Sequence, residues 1–590
     1  MDVLDVVVVG AGWQGLIAAK TYLQVHPSIR LAIFEASPEI GGVWSPSRCY
    51  PFLKTNNQAG TFQTGDFPMT KAQFGAEPGK HIPGQIVHKY LAAYAKHFRL
   101  NEHLQYNSKV ETAECKGSEG WLLSIVSTAD GVNRQVLARK LIIATGLTSE
   151  PFVPKILGSK AFQGPIVHTK YLVQRDPELM AMSDIVVLGN SKSAYDAAYS
   201  YASRGKKVHL IIRESGKGPL WMVPSLVTPF KIWIERLLGM RLLTWFSPCV
   251  WGEADGYGFV RRFLNGTLLG RFILSSFWAI LTADVEQALD FNKSAETKRL
   301  KPWTPPFWHG SGLSLLTYDN DFQSLVRTGR IEVHISDIEK LSADKVHLRN
   351  GVDLKADTIV SATGWSHSPP IKFLPSGIEN DLGLPGCKSL SDSEVELSKL
   401  ADVEILERYP FLKNQPTPSP QQISWKQNTS NDRPSHPWRL FRFIAPPAFI
   451  SQRTIAFAGM LITVRTSTIA ELQALWITSF LDGSLNVERC LDHFSCGTRR
   501  RFERDSLDSR IMWDTMLMTQ FGRWRHPSGV GDRHPDFAFD SLPYFDLLMG
   551  DLGLEKRRKR GWFADIFQQH LPEDHGHVVE EWMKSRKKDS

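Results

Sequence analysis

VVVVGAGWQG, residues Val6 to Gly15, is an apolar run that ends in a Gly-x-Gly-x-x-Gly turn. Consecutive valines before the first glycine predict a strand buried on both faces, and the turn predicts a helix beginning inside it. Each glycine has its own steric work. Gly10 permits the tight turn, Gly12 lets the backbone approach a pyrophosphate, and Gly15 lets the helix pack against the strand; the helix N-terminus adds unpaired N–H groups and partial positive charge. The helix is expected from about Gly12 to Leu23, followed by a strand, Leu31 to Phe34, that ends at Glu35. This completes a βαβ unit, which separates the motif from a chance set of glycines. A carboxylate at that strand end favours ribose hydroxyls.

The device recurs in VVLGNSKSA, Val186 to Ala194. A strand from Asp184 to Leu188 leads into a helix from about Ser193 to Arg204, then a strand from Val208 to Ile212 that reaches Arg213. Ser191 and Ser193 stand where glycines are usual, small enough for close packing and able to donate to phosphate, and Lys192 adds charge. Arg213 suits a 2′-phosphate through bidentate contacts, although counting from the first glycine of each turn matches Glu214, not Arg213, to Glu35. Two such turns hold two nucleotides. The simplest pairing is FAD in the first and NADPH in the second, a pyridine-nucleotide-dependent flavoenzyme.

Two later strands end alike, at Ala144-Thr145-Gly146 and at Ala362-Thr363-Gly364 with Trp365 beyond. The expected fold class is α/β: two three-layer Rossmann-like dinucleotide-binding domains, the NADPH domain inserted into a discontinuous FAD domain and carrying a helical insertion. Residues 1–180 would be the first part of the FAD domain. Residues 181–365 would bind NADPH, with a Trp-rich insertion at about 218–306. Residues 366–440 would connect, through a Pro/Ser-rich loop from Gln415 to Pro437. Residues 441–590 would complete the FAD domain, with a strand from Ile455 to Met460 and a helix whose start, Thr468-x-x-Glu471, has capping-box form, and add a C-terminal helical region.

With 590 residues, 42% of them apolar, the chain can build several packed layers. Its six cysteines, Cys49, Cys115, Cys249, Cys387, Cys490 and Cys496, include no C-x-x-C pair and no metal-ligand spacing. Neither a dithiol centre nor a metal site is expected, and a reduced, cytoplasmic setting fits. The first strand starts within a few residues of Met1, so no secretory signal is expected. The net charge of +8 is dispersed apart from Arg499 to Arg501 and Lys556 to Arg560, which read as solvated surface, so nucleic acid is not an expected partner. Leu226 to Ala283 is rich in Trp, Phe and Leu, but its longest uncharged run, Phe272 to Ala283, falls short of the roughly 20 residues that span a bilayer. Two readings stay open: a buried insertion near the substrate entrance, or an interfacial surface in peripheral membrane contact that gathers apolar substrates.

The run Glu35…Gly41-Gly42-Val43-Trp44, then Leu53-Lys54-Thr55-Asn56-Asn57 and Asp66-Phe67-Pro68-Met69, resembles the flavin-containing monooxygenases, especially their fungal members. The resemblance continues through both Ala-Thr-Gly strands, the second nucleotide turn and Ala456-Phe457-Ala458-Gly459. It implies that Gly10, Gly12, Gly15, Glu35, Trp44 and Asn56 contact FAD, with Asn56 near the flavin ring and nicotinamide as the catalytic residue. Gly189, Ser191, Ser193 and Arg213 would hold NADPH. Ala11, Trp13, Gln14, Val43, Thr55, Thr145, Gly146, Lys192, Thr363 and Gly364 complete the expected cofactor-binding set. A further signature, Phe162-x-Gly164-x-x-x-His168, is partial, since Tyr171 lies three places past the histidine instead of four and no tryptophan marks a Baeyer–Villiger enzyme; His168 reads as a hinge between domains.

The implied reaction resembles that of N,N-dimethylaniline monooxygenase. NADPH delivers hydride to flavin N5, dioxygen adds at C4a to give a hydroperoxide, and its distal oxygen passes to a small organic substrate of fungal secondary metabolism while retained NADP⁺ shields the adduct. Two other readings remain: a reductase or dehydrogenase that makes no productive use of oxygen, and a non-catalytic dinucleotide sensor or membrane-surface module. Substrate identity and oligomeric state have no sequence signal.

Overall fold

In the computed structural model, both glycine turns leave strands that have a parallel neighbour on each side. The structure describes residues 2–227, 230–310, 314–319, 321–366, 368–386, 390–423, 436–493 and 506–589. Cys387, Cys496, Arg499 to Arg501 and residues 424–435 of the expected loop lie outside them.

The chain first lays down β1 (Asp2–Val9), β2 (Leu31–Phe34), β3 (Leu104–Gln105), β4 (Ser108–Cys115), β5 (Trp121–Ser127) and β6 (Asn133–Ile143). A second sheet then takes β7 (Ile166–His168), β8 (Asp184–Leu188), β9 (Lys207–Ile212), β10 (Ile331–Ile335) and β11 (Thr358–Ser361). The chain returns to the first sheet with β12 (Lys372–Leu374) and β13 (Ile455–Phe457). The first sheet runs β12-β4-β5-β6-β1-β2-β3, with β13 also on β6; the second runs β10-β9-β8-β11-β7 and is parallel throughout. Val6, Val7 and Val8 of β1 and Ile185, Val186 and Val187 of β8 are wholly buried. Strands covered on both faces are apolar at every position, which is why neither run alternates.

Helix α1 (Trp13–Val25) follows β1, and α2 (Lys192–Ser203) follows β8. The sheets move two expected boundaries. Because β7 pairs with β11, the second unit begins at Ile166 and not at 181. Because β12 pairs with β4, residues 366–440 are not a plain connector but supply an edge strand of the first sheet, and the helix Asp392–Arg408 as well.

The apolar insertion is helical, with α3 (Ile234–Leu238), α4 (Gly258–Gly266) and the 22-residue α5 (Leu268–Leu289). It is anchored by buried charge. Arg241 donates to Asp565 at 2.9 Å and to Asp546 at 2.5 Å, all three side chains being inaccessible to solvent. Beyond β13, α6 (Thr466–Leu481) starts two residues before the expected Thr468, and its first turn has no side-chain cap. The expected capping box is absent because Thr468 and Glu471 are buried within the helix, where Glu471 accepts the Gly65 N–H at 3.0 Å.

Two nucleotide cradles and the crossing between them

The first cradle is closed by backbone contact. A Cβ on Gly10, whose φ is +108°, would lie 2.6 Å from the Ala144 carbonyl oxygen, and one on Gly15 would lie 1.9 Å from that of Gly10. No residue larger than glycine fits either place. Gly12 caps α1 without a side chain, so the first-turn N–H groups face outward for an anion. The Glu35 carboxylate accepts the Ala11 N–H at 2.7 Å and the Ser37 N–H at 2.9 Å, which fixes it at the rim with acceptor capacity left for hydroxyls. Thr145 Oγ1 is buried beside Gly10 and has no partner among the described residues. An orphaned hydroxyl and an uncapped helix end are what a bound dinucleotide would satisfy, so these residues fit FAD. Gly146 follows with φ of +70°.

Other expected FAD residues have structural work as well. Trp13 packs on Phe62 and Tyr90 at ring separations of 4.5 and 5.7 Å. Gln14 lies against the Gly459 backbone, where a Cβ would come within 2.4 Å of its Cγ. Val43 is exposed at the rim, and Trp44 meets Phe62 edge-on at 5.8 Å.

The second cradle repeats this geometry with other residues. A Cβ on Gly189, φ +144°, would lie 2.4 Å from the Ala362 carbonyl oxygen. Ala194 occupies the place of Gly15 and is fully buried, and Ser191 caps α2 without a side-chain hydrogen bond, which again leaves first-turn N–H groups outward. Strand pairing settles the register. Val9 pairs with Phe34, so Glu35 is the next residue; Leu188 pairs with Ile211, so the equivalent place is Ile212 and Arg213 is one step beyond. The second unit is shorter by two residues, and the count that matched Glu214 to Glu35 is corrected accordingly. Arg213 is half-buried and Glu214 exposed. The charge expected from Lys192 is drawn instead into an ion pair with Asp196, with its ammonium 4.9 Å over the Tyr318 ring. Tyr50 and Tyr318 also donate to Asp196, at 2.8 and 2.7 Å.

The two chain crossings between the sheets run side by side. Phe152 N–H donates to the Gly364 carbonyl at 3.0 Å, Ser366 N–H to that of Glu150 at 2.8 Å, and the Thr363 hydroxyl to that of Phe152 at 2.5 Å. Thr363 and Gly364 therefore tie the crossing together. His168 completes it. Its Nε2 donates to the Gly364 carbonyl at 2.9 Å, its Nδ1 accepts the Lys170 N–H at 3.1 Å, and its ring meets Trp365 edge-on at 4.8 Å. Burial holds its pKa below the ordinary histidine range. Arg48, which no motif marked, lies 5.0 Å over the Trp365 ring and donates to the Thr148 carbonyl at 3.0 Å.

Asn56 lies in the strand Lys54–Gln58, where Thr55 and Asn57 are buried and Asn56 is half-buried on the opposite face. Thr55 donates to the Asn57 carbonyl at 2.6 Å and accepts the Ile82 N–H at 3.0 Å. Asn57 donates to the Val464 carbonyl at 2.7 Å and to Glu235 of α3 at 2.5 Å, and Glu235 also accepts the Gln58 N–H at 3.0 Å and the Thr61 hydroxyl. Burial pushes the Glu235 carboxyl up, while these donors pull it down. Glu235 thus joins the insertion to the Asn56 strand. Its only sequence signal was a charge inside an apolar segment.

Away from both cradles, His209, Glu332 and His334 place one ligand atom each within 4.8 Å of the others. Lys207 lies 3.2 Å from the Glu332 carboxylate and balances its charge, so the group reads as an ion-pair network on the β9–β10 edge.

Residues 7–234 match the family described as pyridine nucleotide-disulphide oxidoreductase. The FAD-dependent monooxygenase rstn6 of Aspergillus nomiae is 34% identical over 614 residues, covering 99% of this chain and 98% of that one. Among solved structures, cyclohexanone monooxygenase of Rhodococcus sp. Phi1 bound to NADP⁺ superposes with a TM-score of 0.58 at 15% identity, over 94% of this chain and 98% of that one. The S-allyl-L-cysteine S-oxygenase of Allium sativum does so with a TM-score of 0.51 at 15% identity, over 99% of both chains. These two share the fold. By its identity and coverage with the Aspergillus protein, the chain belongs to the FAD-dependent monooxygenases.

Proposed function

We propose that the protein binds FAD in the Gly10 cradle and NADPH in the Gly189 cradle and transfers one oxygen atom from dioxygen to a small organic substrate. The observation that carries this reading is the opposite charge near the two strand ends: Glu35 at the first, and at the second Arg213, one place past the equivalent Ile212. A carboxylate accepts ribose hydroxyls; a guanidinium pairs with a 2′-phosphate.

Bound flavin would supply hydride acceptance and oxygen activation, and this chain's residues do the rest. The first-turn N–H groups of α1 and Thr145 Oγ1 would hold the dinucleotide. Asn56 would offer the ring edge a neutral amide that adds no titrating charge. Asn57 and Glu235 would fix the strand that carries it, and the buried side of the apolar insertion, not its exposed face, would exclude water. A hydroxylation of the flavin-containing monooxygenase type, in a cytoplasmic setting, completes the reading.

Mixing the flavin-loaded, NADPH-reduced protein with oxygen tests it. A transient absorbance distinct from oxidised and reduced flavin, and a product heavier by one oxygen atom, are expected. Direct reoxidation without the transient or the product would make the protein a reductase.

A further inference from the structure

Helix α5 has two unlike faces. Leu274, Trp278, Val285 and Leu289 form a buried stripe, whereas Leu268, Phe272 and Ile280 are 82, 69 and 71% exposed. By length and mean hydropathy α5 could cross a membrane. Its inner stripe prevents that, because the Trp278 ring meets Phe307 and Phe539 at 5.1 and 5.5 Å and its Nε1 donates to the Phe246 carbonyl at 2.9 Å. The helix can only lie along a surface.

The neighbours extend the apolar face. Helix α4 exposes Phe259 and Phe263, and α7 (Trp562–Phe567) exposes Trp562 and Phe563. Leu264 of α4 and Ile566 of α7 share a buried cluster with Trp245, so the two helices are side by side. The basic run joins the same surface. Lys556 donates to the Ala254 carbonyl at 2.9 Å, and the Arg557 guanidinium lies 5.8 Å over the Tyr257 ring. Residues 258–283 and 556–564 contain Arg261, Arg262, Arg271 and the run Lys556 to Arg560 but no carboxylate. Arg261 is buried against Asp255, and Arg262, Arg558 and Lys559 are also paired with acids; Arg557 and Arg560 are exposed.

We propose that this face docks on an anionic lipid bilayer, with α4, α5 and α7 setting their exposed aromatic and aliphatic side chains at the headgroup boundary and Arg557 and Arg560 on lipid phosphates. Apolar burial drives insertion, and the cations select a negatively charged surface. The alternative occupant of an exposed apolar patch is a second copy of the chain.

The test is co-sedimentation of the flavin-loaded full chain with vesicles of phosphatidylcholine, alone or mixed with phosphatidylserine, at low and high salt. Binding to the mixed vesicles, weakened by salt, is expected. Arg557→Gln and Arg560→Gln should each weaken it about fivefold, and Phe272→Ser with Trp562→Ser should abolish it, while NADPH oxidation without vesicles stays at the wild-type rate. Absence of binding to either vesicle would overturn the proposal. So would a dimer, seen by light scattering, that the Phe272→Ser, Trp562→Ser variant dissociates.

Discussion

The two cradles share a backbone and differ in chemistry. In both, a glycine at positive φ seats against the carbonyl oxygen of an alanine that leads an Ala-Thr-Gly turn, Ala144 in one and Ala362 in the other. The first needs glycine at Gly10 and Gly15, because α1 presses onto Gly10 itself, whereas a Cβ on Gly12 would come no nearer than 3.7 Å to the Gly42 Cα. The second accepts serine and alanine, with its helix start wrapped around Asp196 and two tyrosines. The shape common to both is what a pyrophosphate requires. What differs, Glu35 against Arg213, is what distinguishes one dinucleotide from another.

The largest expected effects break one cradle at a time. Gly10→Ala should lose retained flavin altogether, read as absent visible absorbance after purification. Gly189→Ala should keep the flavin but lose its reduction by NADPH at least hundredfold, since a few kcal/mol of steric strain falls on that site alone. Loss of flavin from both variants would show that the cradles are not independent. Next, Arg213→Ala should raise the KM for NADPH about 10- to 100-fold by removing a charge-assisted pair, with NADH little changed. Equal effects on both coenzymes would remove the phosphate role from Arg213. Glu35→Gln should weaken flavin retention by about tenfold through the loss of one charged acceptor, measured by dialysis against apoprotein.

The smallest effect lies in the crossing between the cradles. The folded protein holds His168 neutral because its Nδ1 already accepts a backbone N–H, and burial depresses its pKa. Its stabilising contribution is therefore present above the unfolded value of about 6.5 and lost as pH falls from there through the depressed folded value. Urea unfolding below and above that range should show a loss at the acid end for the wild type that is smaller in His168→Gln. An identical loss in the variant would place the titration elsewhere.

Much of this was legible in the chain. Strands β2 and β8 begin and end at the residues their apolar runs indicated, and each glycine turn falls between its strand and helix. These are local signals, written within a few residues. The register at Arg213 was not legible, because a count along the chain cannot see that the second unit is shorter; only pairing with β8 reveals it. The membership of β7 and β12 was hidden for the same reason, since short strands declare their sheet only through distant partners. Thr468 and Glu471 carried the residues of a helix cap but serve tertiary packing. Glu235 and Arg48 left no motif because each acts on groups far away in sequence.

Anaerobic mixing of the flavin-loaded protein with NADPH, followed at the visible flavin band, tests the central claim most directly. Bleaching that saturates at far lower NADPH than NADH concentration in the wild type, and loses that preference in Arg213→Ala, is the predicted result. A flavin that stays oxidised while NADPH binds would contradict the account.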